Sequence, residues 1–112
     1  MKFKSKGYRV ERKVKLLFQN AGWKVIRAGA SLGEADLVCI KDGQCVLIQV
    51  KSTKKDVLYY YEYCNEFFEG FPFYLVVDFG YGKTVLTKPK KKVTASDGVR
   101  IKNFFEGINL ST

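Results

Sequence analysis

Two residues in one stretch have the types and spacing for chemistry on a phosphate, Asp36 and Lys51, the lysine closing a polar-X-Lys triplet with Gln49. Asp36 follows Glu34-Ala35 and heads an apolar run to Ile40, and Gln49-Val50-Lys51 closes the run that begins at Cys45. Lys41-Asp42-Gly43-Gln44 reads as the turn between them. Two strands joined there bring Asp36 and Lys51 together at the sheet end away from the hairpin. An aspartate and a lysine so placed suit metal-assisted phosphodiester hydrolysis, with carboxylate oxygens holding Mg²⁺ or Mn²⁺. The lysine would orient or deprotonate water, or steady the transition-state charge. Each has a plainer reading beside this one: Asp36 as a loop cap, Lys51 as a solvated strand end. Glu34 would share a strand face with Asp36 and is a substitute ligand. Glu11 lies at the edge of a helix stripe and could reach the same cleft, although a lone helix glutamate is usually just solvated.

Composition narrows the chemistry further. The chain has no histidine, which removes His–metal sites, Ser–His triads and His general bases. Its formal charge of +9 on 112 residues is large, and the basic residues are spread along the chain. Such an excess suits sequence-independent contact with nucleic acid, where Lys and Arg displace condensed counterions. No run approaches the ~18 apolar residues of a membrane span, and the N-terminus lacks an apolar signal core, so no membrane partner and an intracellular setting are expected. Cys39, Cys45 and Cys64 lack metal spacing and read as free thiols in a reducing compartment.

The elements that must position these residues follow from periodicity. Val10, Val14, Leu17, Phe18 and Ala21 mark an amphipathic helix over 7–21, ended by Gly22. Residues 23–27 read as a short strand, 29–33 as a loop of small residues, and 35–41 with 44–52 as a hairpin of central strands. Residues 57–69 are expected to start extended and continue as a helix to Gly70, because Tyr61, Asn65 and Phe68 repeat helically. Phe73–Asp78 is a strong strand, Gly80-Tyr81-Gly82 a turn, and Lys83–Thr87 a shorter strand. Lys88 to Lys92 is a basic surface segment. Ser96 or Asp97 would cap a last helix over 99–106, stopped by Gly107. The expected order is α-β-β-β-α-β-β-α in one domain spanning residues 1–112.

Beyond the Asp36 and Lys51 pair, a set of spaced motifs carries a resemblance. Lys6-Gly7, Glu11-Arg12, Ala21-Gly22, Val25-Ile26-Arg27, Ser31, Asp36-Leu37-Val38, Gln49-Val50-Lys51 and Thr53-Lys54-Lys55-Asp56 together resemble the archaeal-type Holliday junction resolvases, of the PD-(D/E)XK nuclease superfamily. The spacing is close through about residue 60 and resumes weakly from Thr94 to Gly107. The resemblance implies an α/β, restriction-endonuclease-like nuclease fold with a mixed central β-sheet flanked by helices. It implies a homodimeric, Mg²⁺-dependent endonuclease that cuts four-way junction DNA in two opposing strands. Glu11, Asp36 and position 49 would then surround the metal, with Lys51 as the catalytic lysine and Ser31 near the scissile phosphate. Lys6, Arg12, Arg27, Lys54 and Lys55 would match basic residues of the DNA face.

Position 49 departs from that pattern, since the family has Glu where this chain has Gln. Gln keeps the shape and one carbonyl oxygen but loses the charge, and Mg²⁺ prefers anionic oxygens. Three readings stand: a tolerant enzyme in which Glu34 or Glu11 compensates, an inactivating swap at this position, or a junction-binding relative that cuts nothing. A related nuclease acting on other branched DNA is a further alternative, since Gly33-Glu34-Ala35-Asp36 also suits other branches of the superfamily. The motif proline is likewise replaced, by Ala35. Between 56 and 82 there is no Lys or Arg but many aromatic residues. Tyr60, Tyr61, Phe67 and Phe68 are therefore expected at a homodimer interface, separate from the basic DNA face.

Overall fold

The computed structural model describes residues 6–28 and 35–106, with side chains from residue 8 onward. Helix α1 (Lys6–Asn20) forms where the apolar stripe predicts it, and it buries Val10, Val14 and Phe18. Gly22 ends it at φ +96°, and the Lys41 ammonium donates to the carbonyl of Ala21 at 2.9 Å. Among the described residues nine strands and a short helix follow: β1 (Lys24–Arg27), β2 (Leu37–Lys41), β3 (Gln44–Ser52), β4 (Val57–Tyr59), β5 (Phe67–Phe68), β6 (Phe71–Asp78), β7 (Thr84–Thr87), β8 (Lys92–Thr94) and β9 (Val99–Arg100), then α2 (Ile101–Phe105).

The main sheet runs β1-β2-β3-β6-β7-β9, with β5 paired onto β6. β3 and β6 are parallel, from Leu47 opposite Phe73 to Ser52 opposite Asp78, and the other neighbours pair antiparallel. The sheet is mixed, as expected. Alternation along the central strands sorts two faces. Val46, Ile48, Tyr74 and Val76 pack under the helices with Val14, Phe18, Trp23 and Ile101. Leu47 and Phe73, and then Leu75 and Val77, face the other way. Gln49 and Lys51 continue the alternation of Leu47, so they belong to this second face.

That second face is covered by something other than the expected helix. Residues 57–69 form no helix: β4 pairs with β8 in a separate two-stranded ribbon, and Phe67-Phe68 folds back on β6. Val57-Leu58-Tyr59 follows its strand propensity, and Tyr60 seats itself between Leu75, Val77, Val85 and Val93. Glu69 and Gly70, at φ +53° and +88°, make the two-residue turn of a hairpin, which a helix could not contain. The parallel β3–β6 crossover is thus built from a ribbon and a loop.

The C-terminal region also differs from expectation. Val99-Arg100 is a strand on β7, α2 starts only at Ile101, and its N-cap Arg100 makes no side-chain cap bond. Asp97 instead turns back to accept from the Thr94 backbone N–H (2.6 Å), the Thr94 hydroxyl and Lys90. The Lys90 bond, then those of Thr94, hold its carboxyl below the usual range. Gly98, at φ +61°, passes so close to β7 that an added Cβ would meet Leu86 O at 2.3 Å. Gly98→Ala is expected to cost about 3 kcal/mol, or on the order of 15 °C in Tm by circular dichroism. An unchanged Tm would mean that the β7–β9 register shown here is wrong.

Candidate active site

Asp36 sits one residue before β2 and is locked to β3 through backbone and side chain alike. Its N–H donates to Ile48 O (2.8 Å), and its Oδ2 accepts from Val50 N–H at 2.8 Å and from Gln49 Nε2 at 3.3 Å. Gln49 is only 6% exposed. Its amide nitrogen faces Asp36, and its Oε1 is buried with no hydrogen-bond partner among the described residues. A buried carbonyl oxygen without a partner is costly, and a water, a ligand or an ion would each satisfy it. Lys51, two residues on, stands on the same strand face, and its ammonium donates to Glu62 at 2.5 Å.

These groups act on one another. Burial pushes the Asp36 carboxyl above the ordinary aspartate range, against the Val50 hydrogen bond; Glu11 and Glu62 push it further up, and Lys51 pulls it down. Glu11 is therefore near Asp36, but its carboxylate is held by Arg27 at 2.8 Å, and that ion pair raises the Arg27 guanidinium pKa. Glu62 is the functional candidate that periodicity concealed, because its segment was read as a helix.

The predicted basic residues fall into two places. Arg12 and Arg27 line a hollow of about 260 Å³ beside α1, together with Glu11 and Lys15. The Arg27 guanidinium lies 5.5 Å from the Tyr8 ring centroid. Lys54 and Lys55 line a different hollow, of about 480 Å³, with Tyr81 and Lys83. Ser31 and Glu34, and the side chain of Lys6, lie outside the described residues.

The aromatic set needs correction. Tyr60 is 2% exposed and belongs to the core, so it offers no surface to a second copy. Phe68 is half-buried and packs with Tyr63 and Phe73. Tyr61, at 74% exposed, and Phe67 do lie on the surface, as do Tyr59 and Phe71. The cysteines form no disulfide; burial pushes the Cys39 thiol pKa up to about 12, Cys45 is half-buried and Cys64 is exposed. Among the described residues, no helix is long and apolar enough to cross a membrane.

Comparison with known proteins bears on this arrangement. A family model described as archaeal Holliday junction resolvase (Hjc) matches residues 2–111. The chain belongs to the archaeal Holliday junction resolvase family. The structure of Hjc from Archaeoglobus fulgidus, a Holliday junction resolvase from an archaeal hyperthermophile, superposes with a TM-score of 0.71 at 21% identity. The match covers 94% of this chain and 99% of that one. None of the curated proteins compared with it matches. Family membership makes the chain a junction-resolving nuclease, and the structural likeness shows the shared fold. Nucleases of this kind work with a divalent metal.

Whether the residues present fit such a metal is decided by their oxygens. Among the described residues there is no group of three or more His, Cys, Asp and Glu side chains placed to hold a metal ion. What stands together is a carboxylate, Asp36, and the side-chain amide of Gln49, whose nitrogen faces Asp36. Both carry hard oxygen donors, and Mg²⁺ is commonly held by one or two carboxylates while it keeps several waters. With the Gln49 amide turned, the pair would give one carboxylate and one carbonyl oxygen to a sparsely ligated cation.

Proposed function

We propose that this resolvase cuts four-way junctions with Mg²⁺, or Mn²⁺ in its place, at Asp36, Gln49 and Lys51. The observation that carries this reading is the contact of the Gln49 side-chain amide with Asp36, its Oε1 buried and without a partner among the described residues. Asp36 and Gln49 would hold the cation, with Glu11 nearby and Glu34 as a further donor. A bound cation supplies charge neutralisation at the phosphate and a more acidic water. Gln49 Nε2 now occupies the Oδ2 side of Asp36 as a weak hydrogen-bond donor. Turning the amide about its last bond would exchange nitrogen for oxygen; the Nε2 bond to Asp36 is given up, and a cation would offset the two facing oxygens.

Lys51 keeps a charge beside the reacting phosphate, where it steadies developing negative charge or handles the proton of the attacking water. Arg27 and Arg12 on one side of α1, and Lys54 and Lys55 after β3, hold the phosphate backbone, with Lys6 and Ser31 assigned to the same work. Recognition is by shape and phosphate contacts. Two opposing cuts need two sites related by a dyad, and the exposed aromatics Tyr61 and Phe67, in a segment without Lys or Arg, suit a second copy of the chain.

The test is cleavage of a labelled immobile four-way junction with Mg²⁺, Mn²⁺ or EDTA, beside a linear duplex and a Gln49→Glu variant. Paired, metal-dependent nicks in the junction alone are expected from the wild type. Gln49→Glu should then cut about 10-fold faster at limiting Mg²⁺, through tighter cation binding. Tight junction binding without nicks, and nicks only in Gln49→Glu, would make the native chain the non-cutting junction binder instead.

A further inference from the structure

The crossover loop that stands where a helix was expected delivers a carboxylate to the active site. Glu62 lies between two anchored tyrosines. Tyr60 is buried, with its N–H donating to Lys91 O at 2.8 Å. Tyr63 packs edge-on against Phe68 and Phe73, and its hydroxyl donates to Phe67 O at 2.6 Å. Fixed on both sides, Glu62 meets the Lys51 ammonium at 2.5 Å and lies close enough to Asp36 to act on its carboxyl.

The charges explain why this matters in a chain with Gln at 49. A site with Asp36, an acid at 49 and Lys51 would carry a formal charge of −1. Here Asp36, neutral Gln49 and Lys51 sum to zero, and Glu62 brings the sum back to −1. The Gln49 carbonyl oxygen is buried, with no partner among the described residues, and is a neutral donor available to a cation. We propose that Glu62 takes over the charge that position 49 lacks, holding the Lys51 ammonium and restoring a negative field around the Asp36–Gln49 oxygens. This inference rests on the metal-dependent nuclease reading above. Glu62 is a positioning residue, acting through Lys51 and through the field. As a half-exposed ion pair it adds little to stability, so its loss should be felt in function far more than in folding.

A double-mutant cycle over positions 49 and 62 tests it. Wild type, Glu62→Gln, Gln49→Glu and the double variant are each measured for Mn²⁺ affinity by titration calorimetry, for junction cleavage and for Tm. Glu62→Gln is expected to weaken Mn²⁺ binding and slow cleavage about 10- to 100-fold in the native background. In the Gln49→Glu background it should cost less than about 3-fold, because the charge is already supplied, and Tm should stay within about 2 °C throughout. Equal losses in both backgrounds, no loss in either, or a loss that tracks Tm would overturn the inference. Should neither wild type nor Gln49→Glu cut any junction, the nuclease reading fails, and the Mn²⁺ titrations still score the charge-exchange separately.

Discussion

Asp36→Asn is expected to melt at a higher temperature than the wild type at pH 7 and to cut junctions on the order of 10³-fold more slowly. The loss follows from removing the one carboxylate that contacts Gln49 and the Val50 N–H. The gain follows from burial, which raises the Asp36 carboxyl above its ordinary range. A carboxyl raised in the folded state contributes stability that is fully present below its unfolded pKa and lost as pH rises through the folded one. At pH 7 the ionised group therefore weakens the fold. Asn is uncharged and keeps an oxygen to accept from Val50 N–H. Calorimetric melting across pH checks the sign: the Tm difference should shrink as pH falls through the raised folded pKa toward about 4, and vanish well below it, where aspartate is neutral in both states. A lower Tm for Asp36→Asn at pH 7, or a gain undiminished at pH 3, would show that this site is not held in tension for function.

The sequence reading and the structure agree where one pattern fixed one answer. The stripe of Val10, Val14 and Phe18 could only face a core, and the turn at Lys41–Gln44 set the register that lays Asp36 beside Gln49 and Val50. Spacing alone thus put Asp36 and Lys51 at the same end of the hairpin. It failed at 57–69, where aromatic residues at helical intervals were doing unrelated jobs: Tyr60 in the core, Tyr61 in solvent, Phe68 on a hairpin. The Glu69-Gly70 pair between Phe67-Phe68 and Phe71 was the local turn signal that outranks such periodicity. With the segment misread, Glu62 could not be placed, since its partner lies 11 residues back across a loop. Ser96 and Asp97 show a related limit. Both are good N-cap types, but the β7–β9 pairing used the residues that followed, and Asp97 closed a turn on Thr94 instead.

Lys51→Met is expected to separate cation binding from cutting. Methionine has nearly the reach of lysine without the charge, so the change removes the ammonium from between Asp36 and Glu62 while leaving most of the packing. Two consequences run in opposite directions. The site becomes more negative, so Mn²⁺ should bind equally well or several-fold tighter by calorimetry. Cleavage should fall by about 10² to 10⁴, the size of losing a charge-stabilising donor or a proton-transfer group at a reacting centre. Junction affinity, carried by many phosphate contacts elsewhere, should change little. Cleavage within about 3-fold of wild type would place the chemistry away from Lys51 altogether. Lys51→Arg then distinguishes the two roles. A guanidinium keeps the charge and the donors but does not release a proton near neutral pH. If Lys51→Arg recovers a tenth or more of the wild-type rate, Lys51 works by steadying charge on the phosphate. If it is as slow as Lys51→Met while binding Mn²⁺ no better than wild type, Lys51 works by handling the proton of the attacking water.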